Sequence, residues 1–136
     1  MAFAETRTDR RVLDAACKFD VTLSEAVKAG DCLGISSGTW VLSAHATAEQ
    51  PIAVALSTAA SGEIIQAALT AVVECVTTAT NVATLGEKVA VADDGSYAAA
   101  AATTPDVGFV SFVGSDSLTA IVFLNPTAAQ LTVVRA

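Results

Sequence analysis

Three times in this chain a glycine is followed by an acid and then by a short apolar run. Gly30-Asp31 precedes Cys32–Ile35, Gly62-Glu63 precedes Ile64–Leu69, and Gly86-Glu87 precedes Lys88–Val91. Glycine takes the positive φ of a tight turn, and the acid behind it tolerates solvent at the turn exit. The runs are short and rich in Val and Ile, so they read as strands. A chain punctuated in this way is a compact all-β domain.

The remaining segments extend that pattern. Phe19–Leu23 alternates Phe19, Val21 and Leu23 with Asp20 and Thr22 and reads as the first strand. Ser36-Ser37-Gly38 forms a hairpin turn between Cys32–Ile35 and Thr39–Ser43, and Pro51 opens Ile52–Ser57. Glu63–Leu69 and Ala71–Thr77 read as one long bent strand or as two, and Thr78–Leu85 as a loop. Asp93-Asp94-Gly95 is the strongest hairpin signal, between Glu87–Ala92 and Ser96–Ala99. Val107–Val113, Leu118–Leu124 and an edge strand at Leu131–Val134 follow. Close-spaced strands with almost no helix between them predict a β-barrel or sandwich.

Met1–Lys18 falls outside the alternation. Val12, Leu13, Ala16 and Cys17 can share one face of a short helix capped by Thr8 or Asp9. An arm that orders only on a partner is the other reading. The chain therefore divides into an arm, residues 1–18, and an all-β domain, residues 19–136. The arm carries Arg7, Arg10, Arg11 and Lys18 against Glu5, Asp9 and Asp14, whereas the rest sets Lys28, Lys88 and Arg135 against eleven acids. A net charge of −7 and a pI near 4.4 argue against a nucleic-acid partner.

At 136 residues the chain is one domain, able to bury about two-thirds of its unfolded surface. Its mean hydropathy of +0.58 comes from Ala and Val, since aromatics are only 5%. Small apolar residues in such excess predict surface covered by another subunit. The absence of any run of about 18 apolar residues gives no reason to expect a membrane partner. Charges fill Met1–Arg11 where a signal peptide needs an apolar core, so synthesis in the cytoplasm is expected. Cys17, Cys32 and Cys75 are odd in number and widely spaced, and read as reduced, with Cys32 and Cys75 inside the body.

No catalytic constellation emerges. Gly34-Ile35-Ser36-Ser37-Gly38 matches the letters of a nucleophile elbow, but that motif needs a helix after it, and here a strand begins at Thr39. His45, the one histidine, has no cysteine or second histidine nearby to share a metal and reads as a loop residue. Asp93-Asp94 reads as a type I′ turn rather than a calcium or acid–base pair. No phosphate-cradling glycine loop ending in Lys-Ser or Lys-Thr is present. Trp40 sits in an alternating strand and reads as core before interface anchor. The expectation is a non-enzyme without cofactor, catalytic residue or metal site.

The order Val27-Lys28-Ala29-Gly30-Asp31, Ile52-Ala53-Val54-Ala55, Ala60-Ser61-Gly62-Glu63-Ile64, Gly86-Glu87-Lys88-Val89 and Val107-Gly108-Phe109-Val110, closed by the apolar strand to Leu124, resembles the capsid cement or head decoration proteins of tailed bacteriophages. The similarity covers about Phe19–Leu124. It implies a β-tulip-like barrel assembled as a homotrimer on the outside of the phage head, bridging and stabilising major capsid subunits. On this reading Phe3, Arg7, Arg10, Arg11, Val12 and Leu13 of the arm contact the major capsid protein. Leu118, Ile121 and Phe123, on a strand apolar on both faces, form the trimer interface. Two rival classes are a small β-barrel module binding a glycan or belonging to a fibre, and an enzyme.

Overall fold

In a computed structural model, described over residues 3–43, 51–78, 81–92, 95–100, 106–116 and 118–126, the chain is all-β. Among the described residues nine strands run in the order β1 Glu5–Thr22, β2 Cys32–Ser36, β3 Thr39–Leu42, β4 Ala53–Ala55, β5 Ile64–Thr77, β6 Lys88–Val91, β7 Tyr97–Ala99, β8 Gly108–Val113 and β9 Thr119–Leu124. The expectations at His45, Asp93-Asp94 and Leu131–Val134 lie outside the described residues.

All nine strands belong to one antiparallel sheet built on β5. One edge of β5 carries β1 from Thr22 to Glu5. Its other edge carries first β4, through Val54 opposite Ala68, and then β9, from Ala71 opposite Leu124 to Val76 opposite Thr119. Two leaves therefore diverge from the β1–β5 ladder: β4-β2-β3 from one end, β9-β8-β6-β7 from the other. Each curls back to β1. A bridge from Leu23 to Trp40 closes the first leaf, and one from Ala4 to Ala98 closes the second. The result is a small-barrel fold with two cores. Val21, Leu23, Leu33, Ala53, Ile65 and Ala67 fill one, and Phe3, Val54, Val73, Val89, Tyr97 and Val122 belong to the other.

The three glycine–acid turns share one geometry. Gly30, Gly62 and Gly86 have φ of 85°, 89° and 84°, and the acid after each bonds through its N–H to the carbonyl three residues back: Lys28 at 3.0 Å, Ala60 at 3.3 Å and Thr84 at 3.0 Å. With the preceding residue at negative φ, these are type II turns. Each acid also does more than tolerate solvent. Its carboxylate accepts the N–H of that same residue, at 2.8 Å from Lys28, 2.7 Å from Ala60 and 3.0 Å from Thr84. The turn is clasped at both its carbonyl and its amide. The β2–β3 hairpin turns through Ser37 and Gly38, both at positive φ, with a strand on either side, so the nucleophile-elbow letters are a hairpin.

The expected arm is corrected here. Most of Met1–Lys18 is neither helical nor separate from the body, because Glu5–Lys18 is the greater part of β1. Alternation fails to reveal it because the ladder is interrupted. Between Thr6 and Arg11 the strand advances five residues while β5 advances two, and a further residue is inserted between Val12 and Asp14. Each bulge resets which side chains face inward. Cys17, at φ 59°, adds a left-handed residue.

Candidate functional site

The bulge between Thr6 and Arg11 carries Arg7 and Arg10 across to the Gly30 turn. Arg10 donates to both oxygens of Glu5, to Oδ1 of Asp31 and to the Gly95 carbonyl at 3.3 Å. Arg7 donates from Nε to Asp31 Oδ1 at 3.1 Å and from Nη2 to Oδ2 at 2.5 Å. The Arg10 guanidinium lies 4.9 Å from the Tyr97 ring centre. The Tyr97 hydroxyl donates to the Gly30 carbonyl at 2.5 Å, and the Tyr97 N–H donates to Glu5 Oε1 at 2.8 Å. Burial alone disfavours the Arg10 cation; the hydrogen bonds to Glu5, with Tyr97, Glu5 and Asp31 around it, more than offset this and raise its pKa. Two cations face two carboxylates in a network that is buried at Glu5, Arg10 and Asp31 and reaches solvent at Arg7. It is a clasp for β1, not a place for a substrate.

Burial decides which predicted residues can meet a partner. Phe3 and Arg10 are 1% and 3% exposed, inside the second core and the clasp. The Phe3 N–H also lies 3.5 Å from Glu87, the acid of the third turn. Arg7 is partly covered and bound to Asp31. Of the six residues expected to touch a capsid, Arg11 and Leu13 are exposed and Val12 is half-buried. Phe3 and Arg10 are thus corrected from contact residues to interior ones: the apolar and basic character taken for a docking signal is what folds the N-terminal segment onto the body.

Leu118, Ile121 and Phe123 fare differently. On β9 the inner face is Ala120, Val122 and Leu124, all buried, while Ile121 and Phe123 point outward. Phe109, Phe123 and Val72 stand opposite one another on β8, β9 and β5, and Phe112, Ile121, Glu74 and Arg11 form the next row on β8, β9, β5 and β1. Opposed residues share a face, so these rows make one outer surface. Phe109 and Phe112 are 44% and 55% exposed, Phe109 packs on Phe123 at 5.5 Å, and exposed Val76 and Leu118 lie at the end of the β5–β9 ladder. Leu85 is exposed beside it, in the turn whose Gly86 N–H bonds the Val110 carbonyl. Three of the five phenylalanines therefore lie on this solvent-facing side of the sheet. Sequence reasoning found its β9 row but missed Phe109 and Phe112, because a bulge between Val110 and Phe112 puts both on one face three residues apart.

The thiols fall as expected: Cys17 is exposed, Cys32 and Cys75 buried. Trp40 is half-buried, its ring 5.8 Å from Phe19 at the margin of the first core. Among the described residues no cluster of three or more His, Cys, Asp or Glu is arranged to hold a metal.

No protein-family model matches the chain, and no curated protein matches it. Among solved structures, the fold is similar to that of the N base of head fiber gp8.5 of bacteriophage phi29. The TM-score is 0.53 and the identity 16%, covering 79% of this chain and 92% of that one. At this identity the likeness establishes a shared all-β architecture.

Proposed function

We propose that this protein is a structural component of a bacteriophage virion, placed on the outside of the head as a trimer. On this reading it is made in the host cytoplasm, bridges neighbouring major capsid subunits as a cement or decoration protein, and catalyses nothing. The observation that carries the proposal is the outer face of β5, β8 and β9, whose Phe109, Phe112, Ile121 and Phe123 are too apolar for a monomer's solvent surface. An aromatic centre with charged residues at its margin is the make-up of a protein interface. The fold shared with a phage head-fibre base supports the setting. Capsid contact, on this proposal, runs through Arg11 and Leu13 rather than through the whole N-terminal segment.

The head-fibre neighbour also favours a second reading, a module at the base of a fibre. Two measurements separate these proposals. Light scattering at micromolar concentration is expected to give three times 13.7 kDa, with Ile121→Ser or Phe112→Ser reducing the mass without unfolding the chain. Mass spectrometry of purified virions is expected to find the protein in many copies per head under the decoration reading, and in few under the fibre reading. A monomer at every concentration that also fails to bind undecorated heads defeats both.

A further inference from the structure

The middle of β1 has one edge in the sheet and one edge open. At one end of this gap the Arg10 N–H bonds the Ala29 carbonyl at 3.1 Å, and at the other Phe19 packs on Trp40. Between them, no described backbone group outside β5 bonds to Arg11–Lys18. Leu13, Asp14, Ala16, Cys17 and Lys18 are all exposed. An unpaired edge is a template for another strand.

Two details show how the single chain holds this edge. The Asp14 carboxylate accepts the N–H of Ala15 at 2.9 Å, engaging that donor within its own strand. Cys17 is held at φ 59°, a region that non-glycine residues enter at a cost. Both arrangements are local substitutes for a missing neighbour, and an extended partner strand would replace the first and relax the second.

We propose that this edge pairs antiparallel with the same edge of a second copy, centred on Ala16. The sequence is complementary to its own reverse about that point. Asp14 falls opposite Lys18 of the second copy, and Lys18 opposite its Asp14. Leu13 falls opposite Phe19, and between these pairs stand only Ala15, Ala16 and Cys17, small enough for close approach. Among the described residues neither Asp14 nor Lys18 has an ion-pair partner within its own chain. The segment is also locally suited to self-contact, since Arg11 and Lys18 balance Asp14 and Asp20 in an otherwise acidic protein. The contact uses an edge rather than the outer face of β8 and β9, so it is independent of the trimer proposed above and would join two such assemblies; because it takes up Leu13, it forms between copies not seated on a capsid through that residue.

The test is a charge-exchange pair read by sedimentation equilibrium. Asp14→Lys alone sets Lys against Lys, and Lys18→Asp alone sets Asp against Asp, so each is expected to weaken the paired species by roughly tenfold or more. Mixed in equal amounts, the two variants recreate both opposite-charge pairs between unlike chains, and the paired species is expected to return. Cys17→Gly, which removes the strain of the left-handed conformation, is expected to weaken pairing, and Cys17→Val, which favours an extended strand, to strengthen it. Unchanged masses in both single charge variants, or a mixture that stays unpaired, overturns the proposal. If Ile121→Ser dissociates the protein while the edge variants have no effect, the outer-face interface stands and the edge contact alone fails.

Discussion

Arg10 has no exposed side-chain surface, and neither do Glu5 and Asp31, which it joins. A buried ion pair of this kind is weak evidence for net stabilisation, because taking the charges out of water costs about what their attraction returns. Removing one partner is another matter, since it leaves uncompensated charge inside. Arg10→Ala is expected to lower stability by about 3–5 kcal/mol. Arg11→Ala, one position along and exposed, should change it by about 0.5 kcal/mol or less. Urea unfolding of the two variants side by side checks this, and equal effects would mean the clasp is not closed in solution. Gly30 belongs to the same clasp. A methyl group there would lie 2.7 Å from Arg10 Cδ in addition to requiring φ 85°, whereas at Gly62 nothing lies within 4 Å. Gly30→Ala should therefore destabilise more than Gly62→Ala.

The cysteines make a second residue-scale prediction. Burial raises the Cys32 thiol to about 12, only partly opposed by the neighbouring Tyr97 hydroxyl and Arg10 cation, and burial likewise raises Cys75 and Tyr97. An unfolded thiol ionises near about 8.5. Between that value and 12 the unfolded chain releases a proton that the folded one keeps, so stability is full below the unfolded value and falls as pH rises through the window. Melting temperature should decline steadily from about pH 9 upward. At pH 8 a thiol reagent should modify Cys17 at once, and Cys32 and Cys75 only on unfolding. Rapid reaction at all three would contradict the burial.

At the scale of elements, legibility followed the regularity of the backbone. β2, β3, β4, β6 and β7 were read to within a residue or two, because glycine turns bound them and apolar runs fill them. For β5 the sequence left one long bent strand or two as alternatives, and the structure has one, Ile64–Thr77. Of β1, the longest, only the end at Phe19–Thr22 alternates cleanly enough to read, because the bulges and Cys17 destroy the period over Glu5–Lys18. Its charged interior residues point away from a strand too, since their partners Asp31 and Tyr97 are distant in sequence. The clasp left one legible sign, an acid behind each turn glycine, but nothing local distinguishes buried Asp31 from exposed Glu63. The consequence for the N-terminus is specific. Deleting residues 1–18 removes most of β5's partner along one edge and one half of the clasp. The shortened chain should lose cooperative unfolding and bind an apolar dye, rather than persist as a folded body. A well-folded product with a sharp transition would restore the idea of a dispensable arm.

At the scale of the molecule, the question is whether two cores make two folding units. Each leaf closes its own small barrel, yet both depend on the β1–β5 ladder, which crosses from one core to the other without a break in β5. Ala67 and Val73 lie on that strand six residues apart and fill different cores. Neither leaf can keep its barrel closed once β1 detaches, because both closing bridges, Leu23 to Trp40 and Ala4 to Ala98, are made by the chain at the ends of β1. Stability should thus be shared rather than partitioned. Leu33→Ala in the first core is expected to cost about 2–5 kcal/mol, and Val122→Ala in the second somewhat less, since fewer methyl groups are removed. Both should move one calorimetric transition whose calorimetric and van't Hoff enthalpies agree, measured in the Ile121→Ser background so that dissociation does not intrude. Two resolved transitions, one shifted by Leu33→Ala and the other by Val122→Ala, would show that the ladder joins the barrels in space without coupling them in energy.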